Sequence, residues 1–172
     1  MCFRGFMSRW ESSSLAAFAA ALALLPGPAM AQTATASDPA GDATGRGLDV
    51  TRITVSNDDR RVVVRTRFVK AQRGDLIVFL DPRGRQRGVG LVSEYRPKGT
   101  TKNYILSSST PRRSCDGFRV VWRPARNLVR MTMPSRCQHR GDYGALRFAF
   151  LTERNAADID FSSDWSEFIP RG

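Results

Sequence analysis

Along most of the chain, apolar and polar positions alternate with a period of two rather than 3.6, which is the pattern of half-buried β-strands. Residues 48–56 alternate imperfectly and end at the turn signal Asn57-Asp58-Asp59. Residues 62–69 put Val62, Val64, Thr66 and Phe68 on one face and Arg65 and Arg67 on the other. Residues 76–80 are apolar on both faces, so they read as a central strand, stopped by Asp81-Pro82-Arg83-Gly84. Residues 89–95 and 103–108 give weaker strand patterns, and residues 146–152 set Leu146, Phe148 and Phe150 on one side. A last short strand is expected near residues 165–169. Residues 153–160 have room for one helical turn, and no other stretch carries a helical period. The fold class this predicts is all-β: a single antiparallel β-sandwich, jelly-roll-like, of roughly seven to nine short strands.

The clearest hairpin spans residues 118–133. Phe118, Val120 and Trp122 share one face, and Val129, Met131 and Met133 share a face on the returning strand. Matching those faces pairs Val120 with Met131 and puts the turn at residues 124–127. Cys115 and Cys137 then lie one residue out of register. A one-residue slip sends a side chain to the opposite face. A bulge or loop departure is therefore expected at residues 134–136, with a Cys115–Cys137 disulfide clamping the open end of the hairpin. Of the three cysteines, Cys2 belongs to the N-terminal segment, and the remaining pair is what an oxidising compartment would join. A metal reading is weaker, because two Cys with His139 fall short of a closed four-ligand zinc site.

That N-terminal segment reads as a secretory signal peptide over residues 1–31. Arg4 and Arg9 precede an unbroken Leu/Ala/Phe run at residues 15–25, then Pro26-Gly27-Pro28, then Ala29-Met30-Ala31 as a small-residue cleavage site. The apolar run falls well short of the roughly 20 residues needed to span a bilayer. Three expectations follow: export, a flexible Ala/Thr/Ser-rich tail at residues 32–37, and one domain over residues 38–172 with no transmembrane segment. Oligomeric state leaves no signal in the pattern.

Charge changes the picture most. The chain of 172 residues carries a net charge of +11, nearly all of it outside the leader, and a field of that sign attracts polyanions. Arginine dominates over lysine, which a GC-rich genome would produce without selection for function. The candidate polyanion-binding residues are Arg83, Arg85, Arg87, Arg112, Arg113, Arg119, Arg123 and Arg130, whose guanidinium groups can grip phosphates or uronates bidentately. A solvated polar face is the alternative reading of the same residues. The expected partner is an anionic polysaccharide or cell-wall polymer. Nucleic acid is not expected, since no reader motif is present and the protein is read as exported.

Acidic residues gather at the two ends of the domain. Asp38, Asp42, Asp158 and Asp160 form a candidate calcium set if the first and last strands are neighbours, because calcium takes six to eight hard oxygen ligands. The spacing is not that of an EF-hand loop, and Asp at turns is the competing explanation. No other cofactor is expected. Catalysis is not expected either: His139 stands alone, no Ser sits in a G-x-S-x-G elbow, and Glu94, Glu153 and Glu167 form no cluster. Asp75, Asp81 and Asp142 each sit at a turn. A close Glu–Asp pair in a groove would favour a small hydrolase instead.

One run of residues resembles a known group. Asp38-Pro39-Ala40-Gly41-Asp42, Leu48-Asp49-Val50, residues 62–68 and residues 76–81 follow the order seen at the start of secreted, mostly uncharacterised actinobacterial-type proteins similar to the DOMON / family 9 carbohydrate-binding-module superfamily. The resemblance covers residues 38–81. It implies a β-sandwich and binding rather than catalysis. Sugar-binding branches of that superfamily clamp their ligand between aromatic rings. Trp122, Trp165, Tyr95, Tyr104 and Tyr143 are the rings available here, and none forms an evident pair. Haem branches need Met and His, but Met131 and Met133 alternate with polar residues and read as core. The leading expectation is a secreted, non-catalytic binding module. The runner-up is a structural or protein-interaction domain of the cell envelope without a small ligand.

Overall fold

A computed structural model of the chain describes residues 31–84, 87–96, 98, 101–108 and 110–172. The signal-peptide reading, apart from Ala31, lies outside the described residues, as does Arg85. Among the described residues, no helix is long and apolar enough to cross a membrane.

The fold is an all-β sandwich of two antiparallel sheets. The strands are β1 (Gln32–Ser37), β2 (Val50–Asn57), β3 (Arg61–Phe68), β4 (Gly74–Pro82), β5 (Val89–Tyr95), β6 (Lys102–Ser107), β7 (Thr110–Arg113), β8 (Arg119–Arg123), β9 (Leu128–Pro134), β10 (Leu146–Arg154) and β11 (Asp158–Phe161). The first sheet runs β1-β2-β3-β9-β8 and the second β11-β10-β4-β5-β6-β7. The chain changes sheet after β3, after β7 and after β9. The late strands β9 and β10 thereby land beside the early strands β3 and β4, locking the excursion between them into the sandwich.

Alternation explains the core. Val62, Val64 and Phe68 of β3 and Val129, Met131 and Met133 of β9 face inward, and Leu76, Val78, Leu80, Leu91, Leu146, Phe148 and Phe150 meet them from the second sheet. Met131 and Met133 are fully buried, as expected of core residues. The imperfect alternation of residues 48–56 has a local cause: the β2–β3 register shifts between Val50 and Arg52. The bulge lets Val50, Ile53 and Val55 all face the core despite their uneven spacing.

The hairpin β8–β9 pairs Val120 with Met131. Its turn is the 3-10 segment Pro124–Arg126, closed by Asn127 in the left-handed region at φ 48°. Beyond Pro134 the chain leaves the ladder in a second 3-10 segment, Ser135–Cys137, and Cys137 bonds to Cys115 across a Cα–Cα separation of 5.8 Å.

Three expectations change. The segment Gln32–Ser37 is an edge strand rather than a flexible tail, because each residue registers with β2 and Thr33 and Thr35 hydrogen-bond Ser56 and Thr54 at 2.9 and 3.0 Å. Eleven strands are present among the described residues, more than the count read from the pattern; β1, β7 and β11 are edge strands too short or too polar to announce themselves. Residues 153–160 hold the end of β10, a turn and most of β11, not helix, while residues 165–169 form no strand and join β10 by a bridge from Ile169 to Leu146 and by hydrogen bonds between Ser166 and Phe148.

Candidate functional site

Pairing β9 with β3 brings together arginines that are far apart in sequence. The outward positions of β3 are Arg61, Val63, Arg65 and Arg67, those of β9 include Leu128, Arg130 and Thr132, and those of β8 are Arg119, Val121 and Arg123. In register, Arg65 lies directly opposite Arg130, which lies opposite Val121. One row along, Arg67 lies opposite both Arg52 of β2 and Leu128, and Leu128 lies opposite Arg123. Strands sit about 4.8 Å apart, so these are neighbouring side chains. Arg61, Arg65, Arg119, Arg123 and Arg130 rim a shallow depression of about 280 Å³ floored by Val121, Leu128 and Thr132.

The electrostatics of this face are one-sided. Arg52, Arg61, Arg65, Arg67, Arg119, Arg123 and Arg130 are all exposed. Of these seven, only Arg61 makes an ion pair with another described residue, with Asp58 at 3.3 Å at the margin. Like charges directly opposite on adjacent strands destabilise a sheet. Two such oppositions with no carboxylate between them mark a surface not tuned for stability alone.

The expected basic set is therefore only partly gathered. Arg119, Arg123 and Arg130 converge on the first sheet. Arg83 lies over the Phe168 ring at 4.6 Å. Arg112 lies over Tyr104 at 5.0 Å and 3.7 Å from Glu94. Arg87 donates to Ser108 Oγ and Arg113 to the Cys137 carbonyl. The pattern had already assigned Arg65 and Arg67 to the polar face of their strand. What it did not carry was that β9 would lie beside β3.

The rings do not form a platform beside this face. Tyr95 and Trp122 do form a pair, contrary to expectation: they stack at 4.1 Å, Phe68 stacks on Trp122 at 5.5 Å, and Trp122 donates to Ser93 Oγ. This stack closes the interior of the sandwich, with Tyr95 6 % exposed. Trp165 is exposed, but it sits under the Arg147 guanidinium.

The acidic groups also converge in part. One carboxylate oxygen from each of Asp38, Asp42 and Asp160 lies within 4.8 Å of the others. Asp158 stands apart, with its carboxylate packed on Gly45, while Asp49 comes close enough to act on the cluster. Asp160 is buried and accepts the Val50 N–H at 2.7 Å; Asp49 accepts the Gly41 N–H at 2.8 Å. Burial first, then the charges of Asp160 and Asp42, push the Asp38 carboxyl up to about 7. The interaction between the two carboxyls raises Asp38 further and works against the rise of Asp160, so the proton is favoured on Asp38.

The sign for stability follows. A folded pKa above the usual 3.8 means the fold favours protonated Asp38. That contribution is fully present below about 4 and is lost as pH rises through about 7. Asp38→Asn keeps a neutral donor toward Asp160, so the variant is expected to melt higher than the native chain at pH 8, by about 1–2 kcal/mol after discounting for partial exposure. At pH 5 the difference should be clearly smaller, and it should vanish only below about 4. Circular-dichroism melts at both pH values measure this, and equal melting at pH 8 contradicts the shared proton.

A close Asp–Glu pair exists as well: Asp75 is opposite Glu94 in the register of β4 and β5. Arg96 bridges the two at 2.7 and 3.9 Å, and Arg112 adds to Glu94. Both carboxylates thus face guanidinium groups, an arrangement that serves to hold strands together.

Compared with known proteins, the chain matches no family model and no curated protein sequence.

Proposed function

We propose that the protein is an exported, non-catalytic binding module whose ligand is an anionic polysaccharide or cell-wall polymer, held against the outer face of the first sheet. The observation that carries the reading is the unneutralised opposition of Arg65 and Arg130 within a face of seven exposed arginines. An extended polyanion would supply the missing counter-charges to several guanidiniums at once. Each could bind bidentately, and water-exposed geometry suits a flexible chain better than a buried small ligand. Because the rings lie elsewhere, the binding is charge-driven and not a matter of stacking.

The test is retention of the protein lacking residues 1–31 on an immobilised polyuronate across a salt series. Strong retention at 20 mM salt that is gone by about 0.2 M is expected from screening of exposed charges. No retention at low salt removes the proposal. Duplex DNA competing better than polyuronate at equal charge would reassign the face to nucleic acid.

A further inference from the structure

At the end of the sandwich where β9 leaves its ladder, Gln138 sits between two 3-10 segments, Ser135–Cys137 and His139–Gly141. It is 1 % exposed, and neither its Oε1 nor its Nε2 has a hydrogen-bond partner among the described residues. Buried amides are almost always paired, because removing a donor and an acceptor from water without new bonds is unfavourable. Gln138 lines a pocket of about 360 Å³ with Arg87, Ser108, Arg113, His139 and Arg140, and no Asp or Glu is among the lining residues.

The wall is held in place. Arg113 donates to the Cys137 carbonyl at 2.7 Å, and Cys137 is tied to Cys115. His139 Nε2–H donates to the Arg87 carbonyl at 2.7 Å, and Arg87 donates to Ser108 Oγ at 3.1 Å. His139 and Arg140 both adopt left-handed backbone, at φ 47° and 56°. Residues with side chains rarely hold that conformation in succession, and such strain gathers where a site requires a fixed shape.

We propose that this pocket binds a small hydroxylated carboxylate of the uronic-acid kind, with arginines on the carboxylate and Gln138 on a hydroxyl. Guanidinium and carboxylate match in planar, two-bond geometry. A primary amide presents a donor and an acceptor side by side, and a hydroxyl satisfies both. Sulfate, fully ionised at neutral pH, offers acceptors alone and leaves Oε1 unpaired. The pocket shares no lining residue with the depression on the first sheet, so it stands independently of the polymer reading.

The experiment is an amide NMR titration of the protein lacking residues 1–31 with sodium D-glucuronate, and in parallel with D-glucose and sodium sulfate. Glucuronate should shift the Gln138 side-chain NH₂ signals saturably. Glucose should bind at least tenfold more weakly, and sulfate should leave those side-chain signals in place. Gln138→Leu replaces the amide with an apolar near-isostere. It should melt no lower than the native protein and lose at least tenfold in glucuronate affinity, with retention on polyuronate unchanged at low salt. Arg140→Ala should weaken glucuronate and leave glucose unaffected. Absence of a saturable glucuronate shift, equal binding of glucose, or undiminished affinity in Gln138→Leu overturns the proposal. Movement of the Gln138 NH₂ signals by sulfate as far as by glucuronate overturns the hydroxyl assignment.

Discussion

Replacing Arg65 and Arg130 together by glutamine is expected to raise the melting temperature while weakening retention on an anionic polymer about 30- to 100-fold. Both effects come from the same two charges. In the free protein they face one another across β3 and β9 with no carboxylate on them. Removing a direct like-charge opposition is worth a few tenths to about 1 kcal/mol, or about 1–3 °C for a domain of this size. In the complex each guanidinium would make charge-assisted hydrogen bonds worth about 1–1.5 kcal/mol apiece, so two lost contacts give the stated factor. Salt provides an internal check. Raising ionic strength from 20 to 200 mM should stabilise the native protein more than the variant, since screening relieves only a repulsion that is present. Arg136→Gln, off this face and beside Asp116, should change neither quantity. A variant that melts lower with retention intact would make these arginines structural and leave the polymer reading without its main support.

That combination of opposite signs also shows where the sequence was readable and where it was not. The hairpin of β8 and β9 followed from periodicity because its two strands are adjacent in the chain and both carry inward apolar residues at every second position. The one-residue mismatch of Cys115 and Cys137 was informative for the same reason: register is a local, discrete quantity. Strand β1 escaped because its side chains are short and polar; backbone pairing and a pair of hydroxyl rungs hold it, and neither leaves an apolar signature. The basic face needed long-range information. Each strand alone reads as an ordinary amphipathic strand with arginine outward, and only the insertion of β9 beside β3 makes those residues neighbours. The acidic cluster was half visible, since the meeting of the two chain ends could be anticipated, and with it the nearness of Asp49, but not that Asp158 would turn to Gly45. Gln138 gave no signal at all: an amide among Arg, His and Gly looks like loop, and its meaning lies in the absence of a partner once it is buried.

The disulfide connects these levels, and its removal has the largest stability effect expected here. Cys115 and Cys137 close a loop with a sequence separation of 22. In the chain-entropy model, opening a loop of that length costs about 3 kcal/mol. The double substitution Cys115→Ser, Cys137→Ser should therefore lower the melting temperature by about 10 °C, with the sandwich still folded at 25 °C. The β8–β9 ladder is closed by the Asn127 turn and by its own pairing, so the outer arginine face should survive and retention on polyuronate should change little. The Ser135–Gly141 segment lies outside any ladder and is held by separate hydrogen bonds, among them Ser135 N–H to the Arg60 carbonyl, Arg113 to the Cys137 carbonyl and His139 to the Arg87 carbonyl. Its 3-10 turns hang from the end of β9, and the cross-link is what ties Cys137, immediately before Gln138, back to the other side of the hairpin. Glucuronate affinity should consequently fall at least tenfold in the same variant. Melting and two binding assays on one double substitution thus separate the two sites. If the melting temperature falls with both affinities unchanged, the cross-link stabilises the fold without shaping the Gln138 pocket.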